Sequence, residues 1–259
     1  MHRYRFLLSL RWLGMAALGI VLIAACVWLG FWQHDRYEYR ADVNARIAAG
    51  DGEKHPDAVE TVLSPSSGPA ADAVWKRVRA TGRYDADAQV LIRNRSVNSA
   101  AGYEVVTPLI LADGTAVLID RGWVPPASSG ATKPPAVPAP PKGTVTVTAR
   151  VRPSEEKLGT VDTVDGVRQA RSVNVAELSK DLDSPVMRGY LTDDKPPKGL
   201  TAIPVEEERA WQNFAYSYQW WLFAIMIPIG LAMIARREAH PPDVDTPRQR
   251  KPRWGEERV

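Results

Sequence analysis

WLGMAALGIVLIAACVWLGFW, residues 12 to 32, carries no charged side chain in 21 positions. At ~1.5 Å per residue such a run is roughly 30 Å long, the thickness of a bilayer's hydrocarbon core. No water reaches the backbone there, so every N–H and C=O must be satisfied within the segment, and the segment must be a helix. A second run completes the pattern. Residues 211 to 235, WQNFAYSYQWWLFAIMIPIGLAMIA, are uncharged over 25 positions. Tryptophan and tyrosine gather near the ends of both runs, as they do at membrane interfaces. Two buried helices of a soluble core would not need that placement.

Basic residues set the expected orientation. Arg3, Arg5 and Arg11 precede the first run with no acid among them, and Arg236 and Arg237 follow the second. Residues 33 to 210 hold 23 basic and 25 acidic side chains, a net of −2. Positive flanks stay on the cytoplasmic side, so both termini are expected inside and the middle exported. The whole-chain charge of +3 then reports topology and gives no reason to invoke nucleic acid. The expected division is a cytoplasmic segment 1–11, a span 12–32, an extracytoplasmic domain 33–210, a span 211–235 and a disordered cytoplasmic tail 236–259.

Ile23-Ala24-Ala25-Cys26 matches a lipoprotein cleavage box behind a basic N-terminus. A lipidated cysteine opens a polar linker, however, and here the apolar run continues through Trp28, Phe31 and Trp32. A retained span is therefore expected. The single cysteine also excludes an intrachain disulfide and any multi-thiolate metal site.

RYEYRADVNARIAA (36–49) reads as the first helix continuing beyond the membrane, with Gly50 and Gly52 ending it. Strand-like segments follow at 74–84, 89–95, 103–111, 116–124 and 144–152, rich in β-branched residues. Asp113-Gly114 marks a hairpin between two of them. Short spacing without intervening helices predicts an antiparallel sheet or partly closed barrel. Residues 125–141 contain seven prolines and read as an exposed loop. VAELSKDL (175–182) predicts a short helix, and Pro185, Pro196 and Pro197 punctuate an irregular return to the membrane. The fold class expected is membrane α + β: two transmembrane helices flanking an antiparallel β-rich extracytoplasmic domain.

Catalytic raw material is sparse. There is no HExxH, GxSxG, phosphate-binding loop or dinucleotide fingerprint. Ser154-Glu155-Glu156-Lys157 matches SxxK without the companion elements of a serine–lysine site. No two of the four histidines sit at metal-ligand spacing. A non-enzymatic, binding function is expected, with no resident metal.

The distinctive residues lie where membrane meets domain. Ala16, Gly19, Cys26 and Gly30 fall near one face of the first helix, where small side chains admit a second helix. Asn213, Ser217, Trp220 and Ala224 form a stripe on the second, with Tyr216 beside it. That stripe suits a partner helix or a flat macrocycle; plain interfacial anchoring explains the tryptophans but less readily Asn213 and Gln219. Trp32 and Arg36 are one turn apart, which lets the guanidinium cover the indole.

LGFWQHDR (29–36) resembles the LGxWQxxR signature of the surfeit-locus family of cytochrome c oxidase assembly proteins. RVRATGRY (77–84), GYEVVTPLIL (102–111) and VLIDRGWVP (117–125) resemble its internal blocks in the same order. NFAYSYQWWLFA (213–224) resembles the NHxxYxxxWxxxA pattern opening its last helix. The set resembles the family's bacterial, high-GC actinobacterial type. The short N-terminus, without an Arg/Ser-rich transit peptide, fits a bacterial plasma membrane.

This resemblance implies assembly of the haem-copper oxidase by binding, with haem a as possible ligand and insertion into the catalytic, haem-bearing subunit as the step assisted. The expected partners are cytochrome c oxidase subunits and the lipid bilayer. Gly30, Trp32, Gln33 and Arg36 would orient the first helix and offer a docking surface, with Arg121, Gly122 and Trp123 a second partner-binding set at a strand end. Asn213, Tyr216 and Trp220 would line the intramembrane surface for haem. One departure matters: Phe214 stands where the family pattern has histidine and cannot ligate iron. His34 would then be the replacement imidazole, or axial ligation is absent. Two rival readings stay open: a permanent accessory subunit of a respiratory complex, and a membrane-anchored enzyme with an unfamiliar site in the β-domain.

Overall fold

The computed structural model describes residues 4–128, 133–205 and 207–240. Arg3, Glu206 and the tail from residue 241, expected to be disordered, lie outside the described residues. The chain forms two compact units, one from the residues up to Glu38 together with those from Arg209, the other Tyr39–Glu208.

The first unit is a pair of helices. Helix α1 (Leu10–Gly52) runs unbroken through the first apolar segment and on to the glycines expected to end it. Helix α3 (Ala210–Ala239) holds the second segment. Both are long and apolar enough to cross a membrane. They are antiparallel, since Trp12 Nε1 near the start of α1 donates to Glu238 Oε2 near the end of α3 at 3.2 Å. Arg11 reaches the same carboxylate at 3.6 Å.

On α1 the buried residues of this unit are Trp12, Gly19, Cys26 and Gly30; on α3 they are Ser217, Ala224 and Ala239. The spacing on α1 is the seven-residue repeat of a two-helix seam. Ala16, expected on that stripe, is exposed, although it stands four residues beyond Trp12 as Gly30 stands four beyond Cys26.

The second unit is a nine-stranded sheet. Its strands are β1 (Asp57–Ala58), β2 (Arg77–Tyr84), β3 (Val90–Val97), β4 (Ala100–Leu111), β5 (Ala116–Val124), β6 (Thr144–Pro153), β7 (Asp162–Val164), β8 (Val167–Ala170) and β9 (Val186–Asp193). A four-residue helix, α2 (Val175–Leu178), precedes β9. Asp113-Gly114 makes the expected tight turn, with Gly114 at φ +83°.

Strand β4 is long enough to serve two neighbours along one edge. Residues 100–106 pair with β3, then Leu109–Leu111 pair with Tyr84–Gly82 of β2. Pro108 sits at the change of partner, where no ladder bond needs its missing N–H, and its carbonyl accepts Asp85 N–H at 2.9 Å. The pairings β2–β6–β9–β5–β4–β2 therefore close a five-stranded barrel. Its interior is Val78, Ala80, Leu109, Val117, Ile119, Val147, Ala149, Val151, Met187 and Leu191. Val90, Ile92, Val106, Leu118 and Tyr190 form a second core with α2 and the segment before it. Strand β5 is buried at every position because it is covered on both faces.

The sheet is mainly antiparallel and barrel-forming, as expected, with three parallel pairings added: β5–β9, β3–β8 and β1–β2. For the barrel the cause is parity. Antiparallel neighbours alternate in direction, so a closed ring with an odd number of strands must contain a parallel pair. Strand β9, inserted between β6 and β5, supplies it, in a stretch expected to be irregular. The expected helix 175–182 is only Val175–Leu178, capped by the Asn174 side chain. The described part of the proline-rich loop is not wholly exposed, since Pro135 is buried and Val137 packs against the cluster of Leu91, Tyr103, Val105, Val124 and Leu200.

Candidate functional site

The outer half of the helix pair holds most of the residues singled out from the sequence. Gly30 is buried because nothing larger fits: a Cβ there would lie 2.1 Å from Trp221 Nε1. One turn on, Gln33 Oε1 accepts from Asn213 Nδ2 at 2.8 Å. A hydrogen-bonded amide pair at this depth satisfies groups that hydrocarbon cannot, and it sets the register of the two helices. Ser217, fully buried, satisfies itself on its own helix by donating to Phe214 O at 2.7 Å.

Around this joint runs a closed circuit of rings. His34 lies 5.9 Å from Tyr37 and Tyr37 lies 5.2 Å from Phe214. Phe214 lies 4.8 Å from Tyr218, Tyr218 lies 5.4 Å from Trp221, and Trp221 lies 5.8 Å from His34. Phe31 joins at Trp221, 5.7 Å away. The tilted and edge-on geometries are those that aromatic quadrupoles favour, each pair adding about 0.5–1.5 kcal/mol beyond burial. His34 Nε2 is 3.5 Å from Glu38 Oε1, while Nδ1 is enclosed without a hydrogen-bond partner.

The expected haem-lining set is therefore divided. Asn213 is engaged with Gln33. Tyr216 is 53 % exposed on a different face of α3. Trp220 is half-buried and packs edge-on against Phe223 at 5.9 Å. The indole that meets His34 belongs to Trp221, which sequence reasoning passed over; the signal was the smallest residue of α1, Gly30, requiring the largest on α3. Of the docking set on α1, Trp32 and Arg36 are exposed and Gln33 is half-buried.

Arg121, Gly122 and Trp123, expected to offer a partner surface, are all buried. Arg121 Nη1 donates to Gln89 Oε1 at 3.0 Å and Nη2 to Pro138 O at 3.1 Å, with Tyr84 beneath the guanidinium at 5.5 Å. Gly122 adopts φ +125°, and a Cβ there would meet Thr201 O at 2.8 Å. Trp123 Nε1 donates to Arg95 O at 3.1 Å, and its backbone pairs with Thr201. The three hold the segments around 138 and 201 against the barrel. That corrects their expected role: a fully covered side chain has no face left for a partner.

Beside them the outer wall of the barrel carries acids. Asp120 accepts Gly122 N–H at 3.2 Å, and burial, with Glu104 beside it, pushes its carboxyl far up from the ordinary range. Burial likewise raises Glu104 to about 7, against the pull of Arg95, whose Nε is 2.9 Å from Glu104 Oε2. Arg95 also pairs with Glu155, which accepts from Tyr190 at 3.3 Å. Among the described residues no three His, Cys, Asp or Glu side chains converge to hold a metal ion.

The sequence is similar to that of known proteins. The model of the SURF1 family matches residues 20–225. Proteins named uncharacterized SURF1-like in Mycobacterium tuberculosis and Mycobacterium bovis are 34 % identical over 243 residues, 92 % of this chain and 88 % of theirs. A SURF1-like protein of Dictyostelium discoideum is 32 % identical over 100 residues, 37 % of each chain. The matched span opens within α1, takes in the whole barrel and ends one residue past the buried Ala224; this chain belongs to the SURF1 family.

Proposed function

We propose that the chain is a membrane assembly factor for the haem-copper cytochrome c oxidase, acting by binding and not by catalysis. Membership of a family of oxidase assembly factors supports the reading. The observation that carries it further is the Gln33–Asn213 bond, which joins the two membrane blocks of the family pattern into one rigid surface. The proposed partner is the catalytic, haem-bearing subunit, contacted from the bacterial plasma membrane. Both termini are cytoplasmic in this reading and the barrel is outside, on the strength of the basic flanks.

In this reading haem a, if bound, is held without an axial ligand from these positions: Phe214 offers no ligand atom, His34 Nδ1 is buried without a hydrogen-bond partner, and Nε2 lies 3.5 Å from Glu38 Oε1. The surface around Trp32 and Arg36 is the contact proposed, with the aromatic circuit as its rigid backing.

Deleting the gene tests this. Haem-copper oxidase activity and haem content should fall, while a haem-independent membrane enzyme of the same cell keeps its turnover. Normal oxidase in a deletion strain without a paralogue would refute the assignment. Stoichiometric retention of the chain in mature oxidase would instead support a permanent subunit.

A further inference from the structure

A cavity of about 540 Å3 opens on the outer wall of the barrel unit, between the segment around Pro65, helix α2 and strand β9. That volume is in the range of small-molecule sites. Successive strand residues alternate in direction, so Met187 and Leu191 of β9 enter the barrel core while Val186, Arg188 and Tyr190 point outward. Tyr190 is buried in the second core and Val186 packs beside it, but Arg188 is exposed at the cavity. Of the residues lining the cavity Arg188 alone is charged. Its backbone N–H donates to Ser64 O at 3.0 Å and its Nε to Pro65 O at 3.1 Å, which holds the guanidinium fork at this wall. Neither Nη has a hydrogen-bond or ion-pair partner among the described residues. Ser154 Oγ is engaged, accepting Val175 N–H at 3.0 Å, whereas the half-buried hydroxyls of Ser179 and Ser184 are without a partner among the described residues. The acids of segment 181–183 line a neighbouring recess with Asp85 and Asp87.

We propose that this cavity binds an organic phosphate monoester, with Arg188 holding the phosphoryl group and the apolar wall taking the body that carries it. A fixed cation with two free Nη groups recognises an oxyanion by charge-assisted hydrogen bonds. A carboxylate would be satisfied by the fork and leave both serine hydroxyls idle. A phosphoryl group has a third terminal oxygen for the hydroxyls of Ser179 and Ser184. The cavity is far larger than a phosphate ion, and Pro65, Val175 and Val186 give it apolar walls, so the ligand has an organic part. The headgroup of a phosphomonoester lipid and a soluble phosphate ester share this chemistry.

The test uses the full chain, purified in detergent without oxidase, so that its result is independent of the assembly role. In calorimetric titration phenyl phosphate should bind several-fold more tightly than inorganic phosphate, because inorganic phosphate leaves the apolar wall unused. Arg188→Gln should weaken phenyl phosphate at least about tenfold, the loss expected of a charge-assisted pair. Ser179→Ala with Ser184→Ala should weaken it several-fold with Arg188 in place, which keeps the proposal testable if either variant folds poorly. In nanodiscs, phosphatidic acid should suppress phenyl phosphate binding if a lipid headgroup is the natural source, with phosphatidylglycerol as the phosphodiester control; unchanged binding assigns the site to a soluble ester. No saturable binding of phenyl phosphate, equal affinity for inorganic phosphate, or binding indifferent to Arg188→Gln would overturn the site.

Discussion

Gln33 of α1 and Asn213 of α3, separated by 180 positions in the chain, share a hydrogen bond of 2.8 Å within the paired helices. Its worth is asymmetric. Removing Asn213 leaves the Gln33 amide without this bond, whereas removing both leaves an apolar contact.

Gln33→Leu and Asn213→Leu should therefore each destabilise the helix pair by about 0.6–1.7 kcal/mol, the range met for hydrogen bonds between membrane helices. The double variant should cost less than the sum of the two. Unfolding in detergent followed by circular dichroism would give the cycle; strictly additive losses would mean the bond carries no coupling.

At Gly30 the constraint is steric. Even Gly30→Ala drives a methyl to 2.1 Å from Trp221 Nε1, so the helices must part or the indole must turn. An overpacking cost of about 1–3 kcal/mol follows. Trp221→Leu, by opening that space, should restore part of the lost stability in the Gly30→Ala background. If Gly30→Ala alone is neutral, the close approach is not required.

The barrel should respond to pH in the sense opposite to an ordinary ion pair. Glu104 has a folded pKa of about 7, above its unfolded value of about 4.5, so the folded state holds the proton more tightly between those values. Stability is then greatest below the unfolded pKa and is lost as pH rises through 7. Glu104→Gln should flatten this slope, removing on the order of 2 kcal/mol of pH-dependent change. Melting of wild type and variant from pH 5.5 to 8.5 separates them: parallel curves would assign the slope elsewhere, Asp120 being the first alternative.

Much of the architecture was legible because it rests on local signals. The lipid spans follow from uncharged length, the end of α1 from Gly50 and Gly52, and five barrel or sheet strands from β-branched runs. Strand β9 was not legible. Pro185 and Gly189 break its pattern, and its place between β6 and β5 is a non-local consequence of ring closure. The site divided along the same line. Gln33 and Asn213 could be picked out as polar residues in apolar runs, but which tryptophan met α1 depended on helix rotation, and of the adjacent pair it was Trp221 that packed against His34. Arg121 was misread for a different reason: a charged side chain reads as surface until Gln89, Pro138 and Tyr84 are seen to enclose it.

His34 separates ligand from surface. If its imidazole held iron, His34→Ala would strip haem from the purified protein while leaving insertion and folding intact. The enclosed Nδ1 and the Glu38-facing Nε2 give the opposite expectation, unchanged haem stoichiometry and unchanged oxidase co-purification. Trp32→Ala combined with Arg36→Ala should behave differently, because both side chains lie on the open face of α1. An indole and a guanidinium are the residue types that most often anchor contacts, where truncation commonly costs about 2 kcal/mol or more, a loss of at least roughly thirtyfold in affinity. Haem content and oxidase co-purification measured side by side for the two variants decide it. Haem lost from His34→Ala would restore the ligand, and co-purification unaffected in the double variant would move the contact off α1.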